Sequence, residues 1–126
     1  MKMEKGKLLR IYVVETDKHD GLPVYEWIIR KAHEEKMAGA TVFRGMKGFG
    51  SRQHMHTAKV LRLAQDLPVV VEIIDTAPKI DRFQKLLGEA LHNGLSMVSE
   101  VDICRYSTST AEHTGLNVTE YRDETS

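Results

Sequence analysis

Apolar residues crowd together without alternation in Leu8-Leu-Arg-Ile-Tyr-Val-Val14 and again in Leu67-Pro-Val-Val-Val-Glu-Ile-Ile-Asp75. A strand with one wet face alternates apolar and polar residues, so these runs predict strands that are apolar on both faces. Between them, Val24, Ile28 and Ala32 recur at helical spacing, with Tyr25, Trp27 and Ile29 beside them and Arg30, Lys31, Glu34 and Glu35 mostly on the other side. Pro23 suits the first turn of that helix, and Gly39 the position just past its end. Branched and aromatic residues at Thr41, Val42 and Phe43 predict a second strand over about 40–46. Ile80, Phe83, Leu87 and Leu91 predict a second helix, with Thr76 as its cap, Pro78 in its first turn and Gly94 ending it. Ser96 to Tyr106 reads as the last strand, with Val101 and Ile103 on one face and Val98 and Cys104 on the other. Residues 1–6 read as a polar lead-in and Glu15–Gly21 as a polar turn.

The predicted order is β-α-β-β-α-β, which is the ferredoxin-like α+β sandwich with an antiparallel four-stranded sheet. Two helices cover only one face of such a sheet. The second face of the first and third strands then has to meet something, and another copy of the chain is the simplest partner. From Ser107 onward the chain is rich in Ser, Thr and acid with no period, so the reading is one domain over 1–106 and a flexible polar tail over 107–126.

The connection between the second and third strands is long, roughly twenty residues, where loops beyond about 12–15 residues usually carry function or are disordered. It holds Gly45, Gly48 and Gly50, which bend freely and expose backbone N–H groups. Arg44, Lys47, Arg52, His54 and His56 surround them. Glycines interleaved with cations predict an anion cradle, and a short helical turn is expected within 56–63.

Composition narrows the choice. The chain has 126 residues, one domain by size, with 18 basic and 18 acidic residues. A formal charge of zero gives no global pull toward nucleic acid or an anionic membrane, so anion binding must come from a local cluster. The single cysteine, Cys104, excludes an internal disulfide and fits a reducing compartment. No apolar run approaches the roughly 18 residues of a membrane helix. A cytoplasmic protein is expected.

The segments Leu9-Arg-Ile-Tyr, Glu15-x-Asp-Lys18, Gly21-x-Pro-x-Tyr-Glu26, Gly39-Ala-Thr-Val-x-Arg44-Gly-x-x-Gly48-Phe-Gly50 and Leu67-Pro-Val-Val-Val-Glu-Ile-x-Asp75 resemble the uncharacterised prokaryotic family called domain of unknown function 190, which is grouped with the PII-like signalling proteins. The likeness covers about residues 7–106. It implies a ferredoxin-like subunit in a homotrimer whose sheets face one another, with small effectors in clefts between subunits beside the long loop. Members of the family are sometimes encoded beside fluoride-exporting channels, so a membrane channel is one candidate partner. Two departures stand out. The glycine-rich, lysine-bearing phosphate loop of true PII proteins is here only His92-Asn-Gly-Leu95, and no tyrosine lies between Tyr25 and Tyr106 to be modified.

Other motifs fail. Gly45-Met-Lys-Gly-Phe-Gly50-Ser51 lacks the lysine of a P-loop before its serine, and Gln53 stands where a dinucleotide fingerprint needs a third glycine. Cys104 lies within a strand with nothing near to activate it, no serine sits on a nucleophile elbow, and Glu34-Glu35 fall on a helix surface. Catalysis is therefore not expected, although a composite active site at a subunit boundary using His54 or His56 stays open. Arg10 and Arg105 interrupt apolar strands and need a partner such as Glu72 or Asp102, or an anion. The leading expectation is a PII-like regulatory protein that binds an anionic effector, with a nucleotide as one candidate. Arg44, Lys47, Gly48, Gly50 and Arg52 would form the site, with Lys18, His19, Arg105, His54 and His56 around it. The alternative is a metal-binding protein resembling copper-tolerance relatives, with His19, His54 and His56 as ligands.

Overall fold

The computed structural model describes residues 2–46 and 67–106. Its elements are β1 (Lys2–Val14), β2 (Lys18–His19), β3 (Leu22–Pro23), α1 (Val24–Glu34), β4 (Gly39–Arg44), β5 (Pro68–Thr76), α2 (Ala77–Ala90) and β6 (Leu95–Arg105). The four long strands form one sheet in the order β4-β5-β1-β6, antiparallel at every step. This is the expected α+β architecture, with a small β2–β3 hairpin added before the first helix.

The helices lie on one face. Val24, Ile28 and Ala32 of α1 and Ile80, Phe83 and Leu87 of α2 are buried, as their spacing predicts. They meet the odd-numbered residues of the two central strands: Leu9, Ile11 and Val13 of β1, and Val69, Val71 and Ile73 of β5. Leu91 and Trp27 pack at the margin.

The opposite face carries Leu8, Arg10, Tyr12 and Val14 of β1, and Val70, Glu72 and Ile74 of β5. Cross-strand partners share a face, so Phe43 (opposite Val70), Leu95 (opposite Tyr12) and Met97 (opposite Arg10) lie there too. Phe43, Leu95 and Met97 are 51%, 50% and 45% exposed, and Ile74 37%. Arg10 and Glu72 stand directly opposite each other in this apolar field. The Arg10 Nε and Nη2 atoms both lie 2.7 Å from Glu72 Oε2. Glu72 holds the guanidinium pKa above its usual range, chiefly by that hydrogen bond. Arg10 therefore has the strand-to-strand partner that its position requires.

Several boundaries differ from the sequence reading. β1 starts at Lys2, because residues 2–7 pair with 100–105 of β6. Its polar start is accommodated by ion pairs: Lys5 with Asp102 at 2.9 Å, Lys7 with Asp81 at 2.8 Å and Glu4 with Arg105 at 2.8 Å. α1 ends before Gly39. Lys36 takes the left-handed conformation there (φ 59°), and Gly39 opens β4 instead. Pro23 stands just ahead of α1, in the N-cap position. Gly94 lies beyond the end of α2, with φ 102° in the turn into β6.

Thr76 occupies the N-cap position of α2 but makes no side-chain capping bond. Its neighbour Asp75 does the holding. Asp75 is buried, its Oδ1 accepts from the Thr76 N–H (2.6 Å), and its Oδ2 accepts from the Ala38 N–H (2.8 Å). Lys79 Nζ lies 3.3 Å from Oδ2 and donates to the Lys36 carbonyl at 2.7 Å. One carboxylate thus ties the end of β5, the start of α2 and the α1–β4 link.

Burial by itself would raise the Asp75 pKa; the two amides and Lys79 outweigh it and hold it below the usual 3.8. A folded value below the unfolded one stabilises the fold fully above the unfolded value, and that contribution is lost as pH falls through the folded value. Asp75→Ala should cost about 2 kcal/mol at neutral pH, because two part-buried amides and Lys79 lose their shared acceptor. Thermal melts should show Tm lower by roughly 5–10 °C at pH 7. The gap between wild type and variant should narrow only below about pH 4.

Candidate functional site

β4 runs parallel to β1, because each is antiparallel to β5 between them. The C-terminal ends of β1 and β4 therefore lie at the same end of the sheet. There the chain leaves β1 through Glu15, whose N–H donates to the Leu67 carbonyl at 2.9 Å. Gly45 follows β4 and its N–H donates to the Pro68 carbonyl at 2.8 Å. A Cβ on Gly45 would come within 2.7 Å of the Pro68 ring, so glycine is required for the approach. Both ends of the long connection are in this way fastened beside the end of β1.

Arg44 and Glu15 face each other across this junction. Arg44 Nε donates to Glu15 Oε1 (2.9 Å) and Nη2 to Oε2 (2.6 Å), the two-pronged geometry that guanidinium favours with an oxyanion. The pair reaches solvent, with side chains 55% (Arg44) and 22% (Glu15) exposed.

The next residues are held differently. Asp17 accepts from the Val14 N–H at 3.3 Å through Oδ2, and its carbonyl accepts from the Val24 N–H at 2.8 Å. This ties the segment to the start of α1. Asp20 (φ 53°) and Gly21 (φ 79°) then form the tip of the β2–β3 hairpin. Both have positive φ, as a two-residue type I′ turn demands. The Asp-Gly pair signals such a turn, which the reading of this segment as a plain polar turn does not capture. The hairpin presents an exposed Lys18. It sets His19 in a T-shaped contact with Trp27, with ring centroids 4.6 Å apart at 74°. Lys31 Nζ sits 5.6 Å from the same indole. His19 Nε2 lies 3.6 Å from an Asp20 carboxylate oxygen.

A groove of about 220 Å³ opens between α2 and the start of β6. Gln84, His92, Asn93 and Ser96 supply its polar lining, and Leu87 and Leu91 part of the apolar one. Leu95 pairs with Tyr12, so this groove sits at the same end of the sheet as Arg44. Three strand spacings separate the two edges, roughly 14 Å. No lysine or arginine lines the groove among the described residues.

The structure gathers Arg44, Lys18 and His19 at one end and adds Glu15, which the sequence reading does not single out as a site residue. Arg105 is at the other end of the sheet, opposite Lys2 and bonded to Glu4 (2.8 Å), not to Glu72 or Asp102. Lys47, Gly48, Gly50, Arg52, His54 and His56 lie outside the described residues, as does the 107–126 tail. So do two of the three histidines of the metal alternative. Among the described residues no three His, Cys, Asp or Glu side chains are placed to hold a metal, and no helix is long and apolar enough to cross a membrane. Cys104 is a half-buried free thiol.

Comparison with known proteins places this architecture. Several solved structures share the fold. CPII from Thiomonas intermedia K12, bound to ADP and bicarbonate, superposes with a TM-score of 0.60 at 18% identity, over 82% of this chain and 93% of CPII. A Thermus thermophilus protein described as PII-like gives 0.58 at 17%, over 83% and 95%. The fold is therefore PII-like. Two relatives are closer in sequence. A UPF0166 protein of Aquifex aeolicus is 40% identical over 104 residues, 82% of this chain and 97% of the relative. A UPF0166 protein of Methanocaldococcus jannaschii is 34% identical over 107 residues, 84% and 98%. The model of the DUF190 family, "Uncharacterized ACR", matches residues 6–103. The chain belongs to the DUF190 family.

Proposed function

We propose that this protein is a cytoplasmic PII-like regulatory subunit. It assembles through its open sheet face into a homotrimer and binds a small anionic effector in the clefts between subunits. The observation that carries the reading is the open face itself. Phe43, Ile74, Leu95 and Met97 expose a third to a half of their surface on one side of a sheet whose other side is covered by the helices. Contiguous apolar surface of this kind marks an interface. Copies of the chain are the fitting occupants, because the Arg10–Glu72 pair is already satisfied within each subunit and adds no unmatched charge.

The effector would sit at the end where Arg44 and Lys18 lie, beside the groove under His92–Gly94. An adenine nucleotide is the first candidate, since CPII, which shares the fold, binds ADP. Arg44 would hold an anionic group two-pronged, with Lys47, Arg52 and the amides of Gly48 and Gly50 from the adjoining connection. Lys18, His19, His54 and His56 would be outer contacts. Arg105 would join from a neighbouring subunit. The connection between β4 and β5 would carry the bound state to a partner protein, for which a membrane channel is one candidate.

Sedimentation at micromolar concentration should give three times the 14.3 kDa chain mass. Phe43→Asp with Met97→Asp should shift it toward single subunits, because each apolar side chain contributes about 1.5–3 kcal/mol when buried. A wild-type protein that sediments as one folded copy would sink the assembly. In a second test, calorimetric titration with ADP compares wild type with Arg44→Ala/Arg52→Ala. The double variant should bind at least about tenfold more weakly with assembly unchanged. Equal binding would remove these residues from the site.

A further inference from the structure

We propose that Glu15 is a built-in competitor for the effector: its carboxylate occupies the Arg44 guanidinium in the empty site, and an incoming oxyanion must displace it. The inference rests on the effector-binding reading above and adds a specificity-determining residue to it.

The geometry is that of a ligand mimic. A carboxylate offers a guanidinium two oxygens in one plane, and so does a phosphate. Glu15 uses both oxygens, at 2.6 and 2.9 Å, on two different nitrogens of Arg44. The fork of Arg44 is thereby filled by an anion the protein itself supplies. The pair is also open to exchange. A buried pair separates only at high cost, because one charge is stranded away from water. Here Arg44 is 55% and Glu15 22% exposed, so a released carboxylate can take up water.

The neighbouring acids are arranged otherwise. Asp17 accepts a backbone N–H from Val14 and holds the start of α1 through its carbonyl. Asp20 lies in the hairpin tip beside His19. It is Glu15 that reaches Arg44. Its backbone is fixed independently, by the bond to the Leu67 carbonyl, so losing the side-chain contact leaves the chain path in place.

Two consequences follow. The site discriminates against anions that cannot present two oxygens, such as chloride, because they replace only half of what Glu15 gives. Binding of a two-oxygen anion also releases Glu15 at the point where both ends of the long connection are fastened, which gives the bound state a structural signature.

The test measures ADP, pyrophosphate and adenosine binding by calorimetry for wild type, Glu15→Gln, Asp20→Asn and Arg44→Ala, with melting curves for each. Glu15→Gln should bind ADP and pyrophosphate about tenfold more tightly and leave adenosine unchanged. Asp20→Asn removes the same charge without freeing Arg44 and should change binding less than about twofold. If Glu15→Gln melts well below wild type, Glu15→Asp, which shortens the reach, serves in its place and should show a smaller gain. Equal affinity of wild type and Glu15→Gln, with Arg44→Ala impaired, overturns the competitor role and leaves the site standing. An equal gain in Asp20→Asn overturns it too, since general charge then suffices. No binding of any probe to any variant overturns the effector reading itself.

Discussion

Two helices cannot cover two faces of a four-stranded sheet, and this mismatch governs the molecule. β1 and β5 are the inner strands, and both are apolar on each side. The helices bury Leu9, Ile11, Val13, Val69, Val71 and Ile73, leaving Leu8, Tyr12, Val70 and Ile74 on the side that carries no helix. The charged feature at the centre of that face is a cross-strand pair, Arg10 against Glu72, set by register. A lone charge is costly in a surface that loses its water, whereas a matched pair is tolerated better.

The two ends of the sheet differ in how firmly they are held. At the β4 start, Asp75 is buried and joins three segments through two amides and Lys79. At the β4 end, the corresponding acid–base pair is Glu15 with Arg44, and it is exposed. The first arrangement resists exchange because losing its partners would leave the buried Asp75 carboxylate unmatched. The second reaches solvent, so its members can take up water when they separate. Rigidity at one end and a replaceable contact at the other suit a subunit whose long connection springs from the second.

Much of this is legible in the residues. Helix spacing at Val24-Ile28-Ala32 and Ile80-Phe83-Leu87 identifies the buried stripes, and unbroken apolar runs identify β1 and β5 as strands with two apolar faces. The start of β1 is not legible, because Lys2, Glu4, Lys5 and Lys7 look like a solvated lead-in until Arg105, Asp102 and Asp81 arrive from far along the chain. The end of α1 is misplaced for a local reason: Lys36 adopts the left-handed turn that glycine favours, so pattern alone credits Gly39 with it. The Asp20-Gly21 hairpin carries its signal openly. Asp75 and Glu15 cannot be singled out, since a polar residue at a strand end reads as solvated until the amides or guanidinium facing it are known. For the candidate site, the residue pattern identifies cations near one loop, and the fold supplies the acid that meets one of them.

Arg105 shows how far single-chain geometry reaches. It sits about eleven strand residues from the Arg44 end, roughly 35 Å at about 3.3 Å per residue, and is engaged with Glu4. No side chain spans that distance, so within one copy Arg105 and Arg44 cannot hold the same small anion. They can share one only where the end of one sheet meets the opposite end of another. The groove under His92–Gly94, at the Arg44 end, has no lysine or arginine among its described lining residues. A site there must draw positive charge from Arg44 and its adjoining connection, from a second copy, or from both. Under the proposed function, self-association and anion binding would be linked by charge supply, with the open apolar face bringing the missing cation within reach.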